Sequence, residues 1–211
     1  MKMRMPERAR IRGLYAITPD LDDTAHLCTL IEASLDGGAA LVQYRNKNAD
    51  AELRAAQAGQ LLALCRRHGV PLIINDHADL CLALGADGVH LGRDDGDIAS
   101  VRAMLGDKLL GVSCYASFEQ AQSAQAQGAD YVAFGSCFGS NTKPDAVRAP
   151  LTLFTRATRE LTVPVVAIGG ITADNARLAL DAGADCIAVI DALFGAANVQ
   201  QAATRFSTLF Q

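Results

Sequence analysis

The sequence predicts a single (β/α)8 barrel, the TIM-barrel architecture, from three observations. Eight short apolar runs recur along the 211 residues, and Ala-, Leu- and Gln-rich segments with helical spacing lie between them. The runs are apolar on both faces, which suits a parallel sheet covered by helices. Eight strand–helix units in a chain of this length match a barrel near the lower size limit. A doubly wound open sheet is the alternative, because the number of strands alone does not establish closure.

The strands are expected, in order, at residues 14–18, 41–45, 71–75, 88–92, 109–115, 131–136, 164–170 and 186–190. Helical spacing is clearest at 50–69 and 117–128. Three junctions share one pattern, in GADGVHLG, GADYVAFG and GADCIAVI, and GGAALVQY is a looser copy. A glycine just after a helix supplies a left-handed C-cap, so each junction predicts a helix end followed closely by a strand.

The length of the chain supports one domain with a substantial core and leaves no room for a second. We expect residues 14–211 to form the barrel and residues 1–13 to be a solvated basic tail. The opening MKMRMPERARIR has no apolar run behind it, so it does not match a signal peptide.

The formal charge of −4 argues against nucleic acid as the main partner, because phosphate contacts need a basic face. No apolar stretch reaches the roughly 18 residues that a membrane span needs. The cysteines are scattered without a CxxC pair, which indicates reduced thiols and no zinc site. They stand at positions 28, 65, 81, 114, 137 and 186. These features predict a cytoplasmic protein.

The hexapeptide VQYRNK carries polar side chains at every second position. Gln43, Arg45 and Lys47 alternate there with Tyr44 and Asn46. Alternation along a strand sends the first three side chains to one face. In a barrel the active face lies where the strands end. An amide and two cations at such an end therefore predict one wall of an anion-binding pocket.

Two carboxylates follow neighbouring strands, Asp76 after strand three and Asp95 after strand four. Taken alone, Asp76 could cap the next helix, and Asp95 could lie in a solvated turn. Together with nearby cations they match a Mg²⁺–phosphate complex, in which Mg²⁺ takes one or two carboxylates and completes its shell with water and phosphate oxygens. His90 is interpreted as a core histidine within a strand, and His77 as a loop residue.

A second anion site is expected at the ends of strands seven and eight. Gly170 and the backbone amides at Ile190 and Asp191 would form a nest in the region where barrels commonly bind phosphate. Two anion sites of different composition imply two phosphorylated ligands.

The chain resembles the thiamine phosphate synthases. The similarity runs from LYAITPD to the last strand, about four-fifths or more of the chain. The matching motifs are LYAITPD, VQYRNK, IINDHADL, GADGVHLGRDD, GVS, GADYVAFG, NTKP, AIGGIT and GADCIAVI. Their joint order is highly specific, whereas GGIT or GAD alone is common to many barrels.

The resemblance implies a role for each matching residue. Hydroxymethylpyrimidine diphosphate would be held by Gln43, Arg45, Lys47, Asn75, Ser113 and Lys143. Asp76 and Asp95 would ligate Mg²⁺, and Arg45, Lys47 and Lys143 would stabilise charge on the leaving pyrophosphate. Thiazole phosphate would be bound by Ser140, Asn141, Thr142, Gly170, Ile190 and Asp191. Ser140 stands where the family usually has Thr, and the exchange keeps the hydroxyl. Asp191 stands where the family often has Ser. Because a carboxylate repels phosphate, we expect only the backbone of Asp191 to contact it.

The implied reaction joins hydroxymethylpyrimidine diphosphate to thiazole phosphate, or to its carboxylated tautomer, and releases pyrophosphate. A dissociative path needs no protein nucleophile, and Cys114 and Cys137 lack a convincing base partner. The partners implied are two phosphorylated small molecules and Mg²⁺. No partner of the nucleic-acid or membrane class is expected, and a homo-oligomer is possible. A thiazole tautomerase and a non-catalytic phosphate-binding regulator on the same barrel are the alternatives. Tautomerases of this kind use a loop histidine near the position of Ser113, and GVSCYAS contains none.

Overall fold

Parallel strands close into a barrel in the computed structural model, which describes residues 11–92, 95–139 and 148–211. Each strand pairs with the next along the chain, and the eighth pairs with the first. The predicted (β/α)8 barrel is therefore confirmed, and the open sheet is excluded. The strands are β1 (Gly13–Ile17), β2 (Ala39–Tyr44), β3 (Leu72–Asn75), β4 (Gly88–Leu91), β5 (Leu109–Tyr115), β6 (Tyr131–Phe134), β7 (Val165–Ile168) and β8 (Cys186–Val189).

Helices alternate with these strands on the outside of the barrel. They are α1 (Thr24–Asp36), α2 (Ala51–His68), α3 (Ala78–Leu84), α4 (Ile98–Leu105), α5 (Phe118–Ala126), α6 (Leu151–Glu160), α7 (Ala176–Asp181), α8 (Asp191–Phe194) and α9 (Val199–Ser207). In α2, the side chain of Asp50 accepts from the Leu53 amide at one end, and Gly69 closes the other with a φ of 66°. No helix in the described parts of the chain is long and apolar enough to cross a membrane.

Side-chain alternation along the strands produces two apolar cores. Val42 and Ile74 belong to the core between the sheet and the helices. Their neighbours Leu41 and Ile73 belong to a second cluster, with Tyr131, that fills the barrel interior. Because both faces of each strand are covered, the strands appear in the sequence as nearly continuous apolar runs.

The three GAD junctions fix the strand starts through both their glycines and their aspartates. The glycines have positive φ values of 69°, 93° and 113°, at positions 85, 128 and 183 respectively. The Oδ2 atoms of the aspartates accept hydrogen bonds from amides in the first two residues of the preceding strands, in the pairs Asp87–Leu72 at 2.9 Å, Asp130–Leu110 at 2.8 Å and Asp185–Val165 at 2.9 Å. The sequence predicted the glycine caps but not this second function of the motif.

Six strands end one or two residues earlier than predicted, among them β2 at Tyr44, β6 at Phe134 and β7 at Ile168. At β2 the reason is local, because the Thr18 hydroxyl donates to the Arg45 carbonyl at 2.6 Å and accepts from the Arg45 amide at 2.8 Å. Arg45 therefore belongs to the loop at the carboxyl end of the barrel, where side chains can reach a ligand.

Candidate active site

The end of β2 sends its polar side chains to two faces. Nε2 of Gln43 donates to the hydroxyl of Tyr15 inside the barrel at 2.8 Å. The hydroxyl of Tyr44 donates instead to Oε1 of Gln57 in the helix layer at 2.9 Å, and Nδ2 of Asn46 donates to the same oxygen at 3.2 Å. The predicted alternation is confirmed for Gln43 against Tyr44 and Asn46, whereas Lys47, beyond the end of β2, lines a cavity together with Tyr44 and Asn46. With 3% of its surface exposed, Gln43 lies beneath the barrel mouth, whereas Arg45 lies at its edge.

Arg45 is paired with Asp20, a residue that the sequence analysis missed. Nη1 of Arg45 lies 3.0 Å from Oδ1 and 3.2 Å from Oδ2 of Asp20. The same Oδ1 accepts the backbone amide of Lys47 at 2.9 Å. Asp20 ends the LYAITPD segment just after β1, so a polar residue at the end of the first strand was the available signal. It orients the guanidinium and the backbone that carries Lys47.

Asp76 follows β3 directly and adopts the left-handed conformation, with a φ of 64°. Its backbone amide donates to the carbonyl of His90 in the neighbouring strand at 2.9 Å. His77, not Asp76, occupies the N-cap position of α3, so the interpretation of Asp76 as a helix cap is wrong. A left-handed non-glycine residue after a strand end is a feature found at functional sites.

The carboxyl groups of Asp76 and Asp95 meet at the mouth of the barrel. Burial raises the pKa of Asp76 to about 6, and the hydrogen bond with Asp95 and the negative charge of Asp95 raise it too. The positive charges of Lys47 and Arg45 act in the opposite direction on the same pKa. Asp95 also stabilises a turn, since its Oδ2 accepts from the Gly92 amide at 2.7 Å. The interpretation of Asp95 as a turn residue is thus confirmed, and the turn aims its carboxyl group at Asp76; its role as a metal ligand stays a prediction.

This carboxylate pair fits a divalent cation. Two carboxylates in contact repel each other, and this repulsion favours protonation of one of them. A cation bound by both carboxylates would remove the repulsion. Across residues 11–92, 95–139 and 148–211, no group of three or more His, Cys, Asp or Glu side chains could hold a metal ion. Mg²⁺ suits a site of two carboxylates, because water and substrate phosphate complete its octahedral shell.

A cavity of about 220 Å³ opens beside the pair. Its walls include Lys47, Asn75 and Asp76, which were predicted site residues, together with Arg54 and His77, which were not. Arg54 comes from α2 and adds a third cation that no pattern in the sequence singled out. The cavity therefore combines positive side chains with an acidic edge, as a metal-bound diphosphate requires.

Ser113 contacts a histidine inside the barrel. Oγ of Ser113 lies 2.8 Å from Nε2 of His90, and Nδ1 of His90 lies 3.1 Å from the hydroxyl of Tyr131. His90 is 8% exposed. Burial lowers the pKa of His90 to about 4, so its imidazole is neutral at neutral pH. The interpretation of His90 as a core histidine is confirmed, and the structure adds its contact with a predicted site residue.

On the opposite side of the mouth, Gly170 has a φ of 64°. A side chain there would overlap the carbonyl oxygen of Gly139 and come within 2.7 Å of the carbonyl carbon of Phe138. Glycine is thus required by the close passage of the loop after β6, whatever ligand binds nearby. Ile190 precedes α8, and Asp191 is exposed at its first position. Four predicted residues, Ser140, Asn141, Thr142 and Lys143, lie outside the described residues.

The two cysteines nearest the strand ends do not have the properties of nucleophiles. Burial raises the pKa of Cys114 and of Cys137 to about 12. Both thiols are therefore protonated at neutral pH, whereas a nucleophilic cysteine needs a stabilised thiolate.

A family model described as thiamine monophosphate synthase matches residues 14–193. The chain belongs to the thiamine monophosphate synthase family. The thiamine-phosphate synthase of Methylobacillus flagellatus is 58% identical over 201 residues, covering 95% of this chain and 96% of that protein. The thiamine-phosphate synthase of Azoarcus sp. is 56% identical over 202 residues, covering 95% and 98%. The solved thiamine phosphate pyrophosphorylase of Pyrococcus furiosus superposes with a TM-score of 0.87 at 34% identity, covering 96% of both chains.

Membership of the thiamine monophosphate synthase family confirms the resemblance seen in the sequence and the expectation of a transferase. The matched range contains every predicted site residue. The structure gathers part of this set at the carboxyl ends of β2, β3 and β4, namely Arg45, Lys47, Asn75, Asp76 and Asp95. Gln43 and Ser113 hydrogen-bond to side chains of the barrel interior, below this group.

Proposed function

We propose that this chain is a thiamine phosphate synthase that joins hydroxymethylpyrimidine diphosphate to thiazole phosphate and releases pyrophosphate. One observation carries the proposal beyond family membership. The Asp76–Asp95 pair lies close enough to Arg45 and Lys47 for both cations to act on the pKa of Asp76. The carboxylates that would hold a metal and the cations that would bind a diphosphate therefore share one end of the barrel.

Arg45 would bind the diphosphate with its planar guanidinium, which forms paired hydrogen bonds to phosphate oxygens. Without ligand, its charge is balanced by Asp20 at 3.0 Å. The Arg45 side chain remains 18% exposed in this pair, so it is accessible from the mouth. Lys47 and Arg54, which line the cavity beside Asp76, would add an ammonium and a second guanidinium to this positive charge.

Asp76 and Asp95 would hold Mg²⁺ between protein and diphosphate. When bound, Mg²⁺ would neutralise part of the charge that develops on the leaving pyrophosphate. Arg45 and Lys47 would stabilise the same charge, and the resemblance adds Lys143 to them. The aminopyrimidine ring can bear the positive charge left on its methylene carbon, which supports a dissociative path. The protonated thiols of Cys114 and Cys137 are consistent with a reaction that uses no protein nucleophile.

Thiazole phosphate would bind across the mouth, near Gly170, Ile190 and Asp191, with Ser140, Asn141 and Thr142 contributing from the loop after β6. Asp191 is exposed, so its carboxylate can turn toward solvent while its backbone amide meets phosphate. From this position the thiazole nitrogen would attack the methylene carbon of the pyrimidine.

The test is a turnover assay with both substrates and Mg²⁺, in which thiamine phosphate and pyrophosphate are quantified by chromatography. We expect equimolar products, loss of turnover in EDTA and recovery with Mg²⁺. Arg45→Ala should lower the rate by roughly a hundredfold, because it removes a charge-assisted pair of hydrogen bonds to the diphosphate. Arg67→Ala is the matched control, because Arg67 on α2 makes an exposed pair with Glu32 on α1 at 3.5 Å.

Each alternative function gives a different result in the same assay. Binding of both phosphorylated ligands without product would indicate a regulator. Interconversion of thiazole tautomers without pyrophosphate release would indicate a tautomerase. Full turnover in EDTA would exclude the metal from the proposal while leaving the synthase activity in place.

A further inference from the structure

A continuous hydrogen-bonded chain crosses the barrel interior and joins two predicted pyrimidine-binding residues. Gln43 Nε2 donates to the Tyr15 hydroxyl at 2.8 Å, and the hydroxyls of Tyr15 and Tyr131 are 2.8 Å apart. Tyr131 then contacts His90 Nδ1 at 3.1 Å, and His90 Nε2 contacts Ser113 at 2.8 Å. The three middle residues have no role in the proposed chemistry. We call them the interior relay.

The barrel is built to accommodate the relay. Tyr15 and Tyr131 are buried, and their rings meet edge-on with centroids 6.1 Å apart. The His90 ring stacks on Tyr131 with centroids 5.6 Å apart. A side chain at Gly111, the strand neighbour of both, would overlap the Tyr131 ring, so the interior has room for this ring only opposite a glycine. Packing therefore holds each ring where its polar atom meets the next.

The direction of the relay follows from counting hydrogens. The Tyr15 oxygen accepts a hydrogen bond from Nε2 of Gln43. The single hydroxyl hydrogen of Tyr15 then finds an acceptor in the Tyr131 oxygen. The Tyr131 hydrogen must then go to Nδ1 of His90, which leaves the proton of the neutral imidazole on Nε2. In the opposite arrangement, Tyr131 donates to Tyr15, and with Nε2 of Gln43 facing Tyr15 the Tyr15 hydrogen is buried without an acceptor in the relay. Such an unsatisfied group is costly, which favours the first direction.

We propose that the interior relay holds His90 as its Nε2–H tautomer and thereby fixes Ser113 as a hydrogen-bond donor toward the pyrimidine ring. With its oxygen accepting from Nε2, Ser113 keeps its own hydrogen for a ligand. At the other end, Nε2 of Gln43 is bound to Tyr15, so its carbonyl oxygen is the group left to accept. A donor at one end of the relay and an acceptor at the other suit an aminopyrimidine bound between them, because its ring nitrogens accept hydrogen bonds and its exocyclic amine donates one. Tyr15, Tyr131 and His90 are thus positioning residues, and this inference rests on the proposed function.

The tautomer can be observed directly in the full-length wild-type protein. Long-range proton–nitrogen NMR of histidine labelled with nitrogen-15 distinguishes the two neutral forms, and His90→Gln assigns the signal among the four histidines. We expect a pyrrole-type Nε2 and a pyridine-type Nδ1 on His90. A pyrrole-type Nδ1 would overturn the proposal. Because the spectrum is recorded without substrates, it tests the tautomer of His90 even if the proposed synthase activity proves wrong.

Two conservative variants separate positioning from packing. Tyr131→Phe removes the hydroxyl that donates to His90 and should give mixed tautomers, with kcat/KM for the pyrimidine diphosphate about tenfold lower, the effect of one hydrogen bond. Tyr15→Phe should retain the tautomer, because Tyr131 can still donate. Tyr44→Phe is the control, since it loses a buried hydroxyl that bonds Gln57 at 2.9 Å outside the relay. The KM for thiazole phosphate should stay within about twofold in all three.

Ring specificity gives a further readout of the same inference. The oxo analogue of the pyrimidine diphosphate carries a ring N–H and a carbonyl oxygen, which invert the donor and acceptor pattern. Wild type should discriminate against it more strongly than Tyr131→Phe does, because a polar site rejects a mismatched partner through its unpaired groups. Equal discrimination by both proteins, or equal losses in Tyr131→Phe and Tyr44→Phe, would contradict the relay.

Discussion

Nη1 of Arg45 lies within hydrogen-bond distance of both carboxylate oxygens of Asp20, at 3.0 and 3.2 Å. Asp20 also accepts the backbone amide of Lys47 at 2.9 Å. A single carboxylate after β1 therefore organises both cations that follow β2. Asp20 orients the guanidinium, which would reduce the reorganisation needed for the proposed binding of a diphosphate.

Arg45→Lys separates the charge of this residue from its geometry. Lysine keeps the positive charge but lacks the planar fork, so it cannot make paired hydrogen bonds to a diphosphate. We expect kcat/KM for the pyrimidine diphosphate to fall at least about tenfold, while the KM for thiazole phosphate changes little. Steady-state kinetics with each substrate limiting measures both. A silent Arg45→Lys variant would show that charge alone suffices, and Arg67→Lys on the exposed face of α2 is the control.

Asp76→Asn should stabilise the metal-free protein while removing Mg²⁺-dependent activity. Asparagine tolerates the left-handed φ of 64° and carries no charge against Asp95. The pKa of Asp76 is raised in the folded state to about 6, so the ionised group destabilises the fold progressively as pH rises from about 4 to above 6. After allowance for solvent screening, we expect a gain of about 1 kcal/mol at pH 7.5 and almost none at pH 4.

Urea denaturation in EDTA at the two pH values measures this difference between wild type and Asp76→Asn. Asp79→Asn, on the exposed first turn of α3, is the control. A variant that is less stable than wild type at high pH would contradict the repulsion between Asp76 and Asp95. Retention of full Mg²⁺-dependent turnover would contradict their role as metal ligands.

Gly170→Ala should damage the thiazole side through the loop after β6. The added methyl group would overlap the Gly139 carbonyl oxygen, so the backbone at 138–139 must move. We expect the KM for thiazole phosphate to rise several-fold and the KM for the pyrimidine diphosphate to stay within about twofold. Gly69→Ala is a matched control, because Gly69 has a φ of 66° but nothing within 4 Å of an added Cβ. Equal effects in the two variants would assign the loss to backbone strain alone.

Asp87→Ala tests the tie between a GAD aspartate and the preceding strand. Its Oδ2 accepts from the Leu72 amide at 2.9 Å, and Leu72 is fully buried. Loss of the acceptor should lower the free energy of unfolding by about 1–2 kcal/mol, because the amide is left without its partner. Denaturant titration measures this, with Asp107→Ala in an exposed turn as the control. A change of less than about 0.5 kcal/mol would show that water replaces the carboxylate.

The sequence by itself determined the eight strands, the helices between them and one wall of the site, because these depend on local periodicity. It predicted a barrel, but closure was established by the pairing of β8 with β1. Apolar runs between helical segments specify strands covered on both faces, and the alternation in VQYRNK specifies which side chains share a face. Each pattern spans only a few neighbouring residues, so it can be recognised without knowing which distant parts of the chain pack against it. The family motifs then extended this local information to Asp76 and Asp95, whose contact the structure contains.

Only the tertiary structure decided which distant residues complete the site. Asp20 and Arg45 are separated by 25 positions, and Tyr15 and Tyr131 by 116, yet each pair is joined by a hydrogen bond. Gly170 is required because another loop passes against it, which its own neighbours in the chain do not reveal. Barrel closure places all strand ends at one mouth, and the register between strands then selects which side chains meet. A hydrogen bond depends on positions within a few tenths of an ångström, and that precision arises only when the whole barrel has closed.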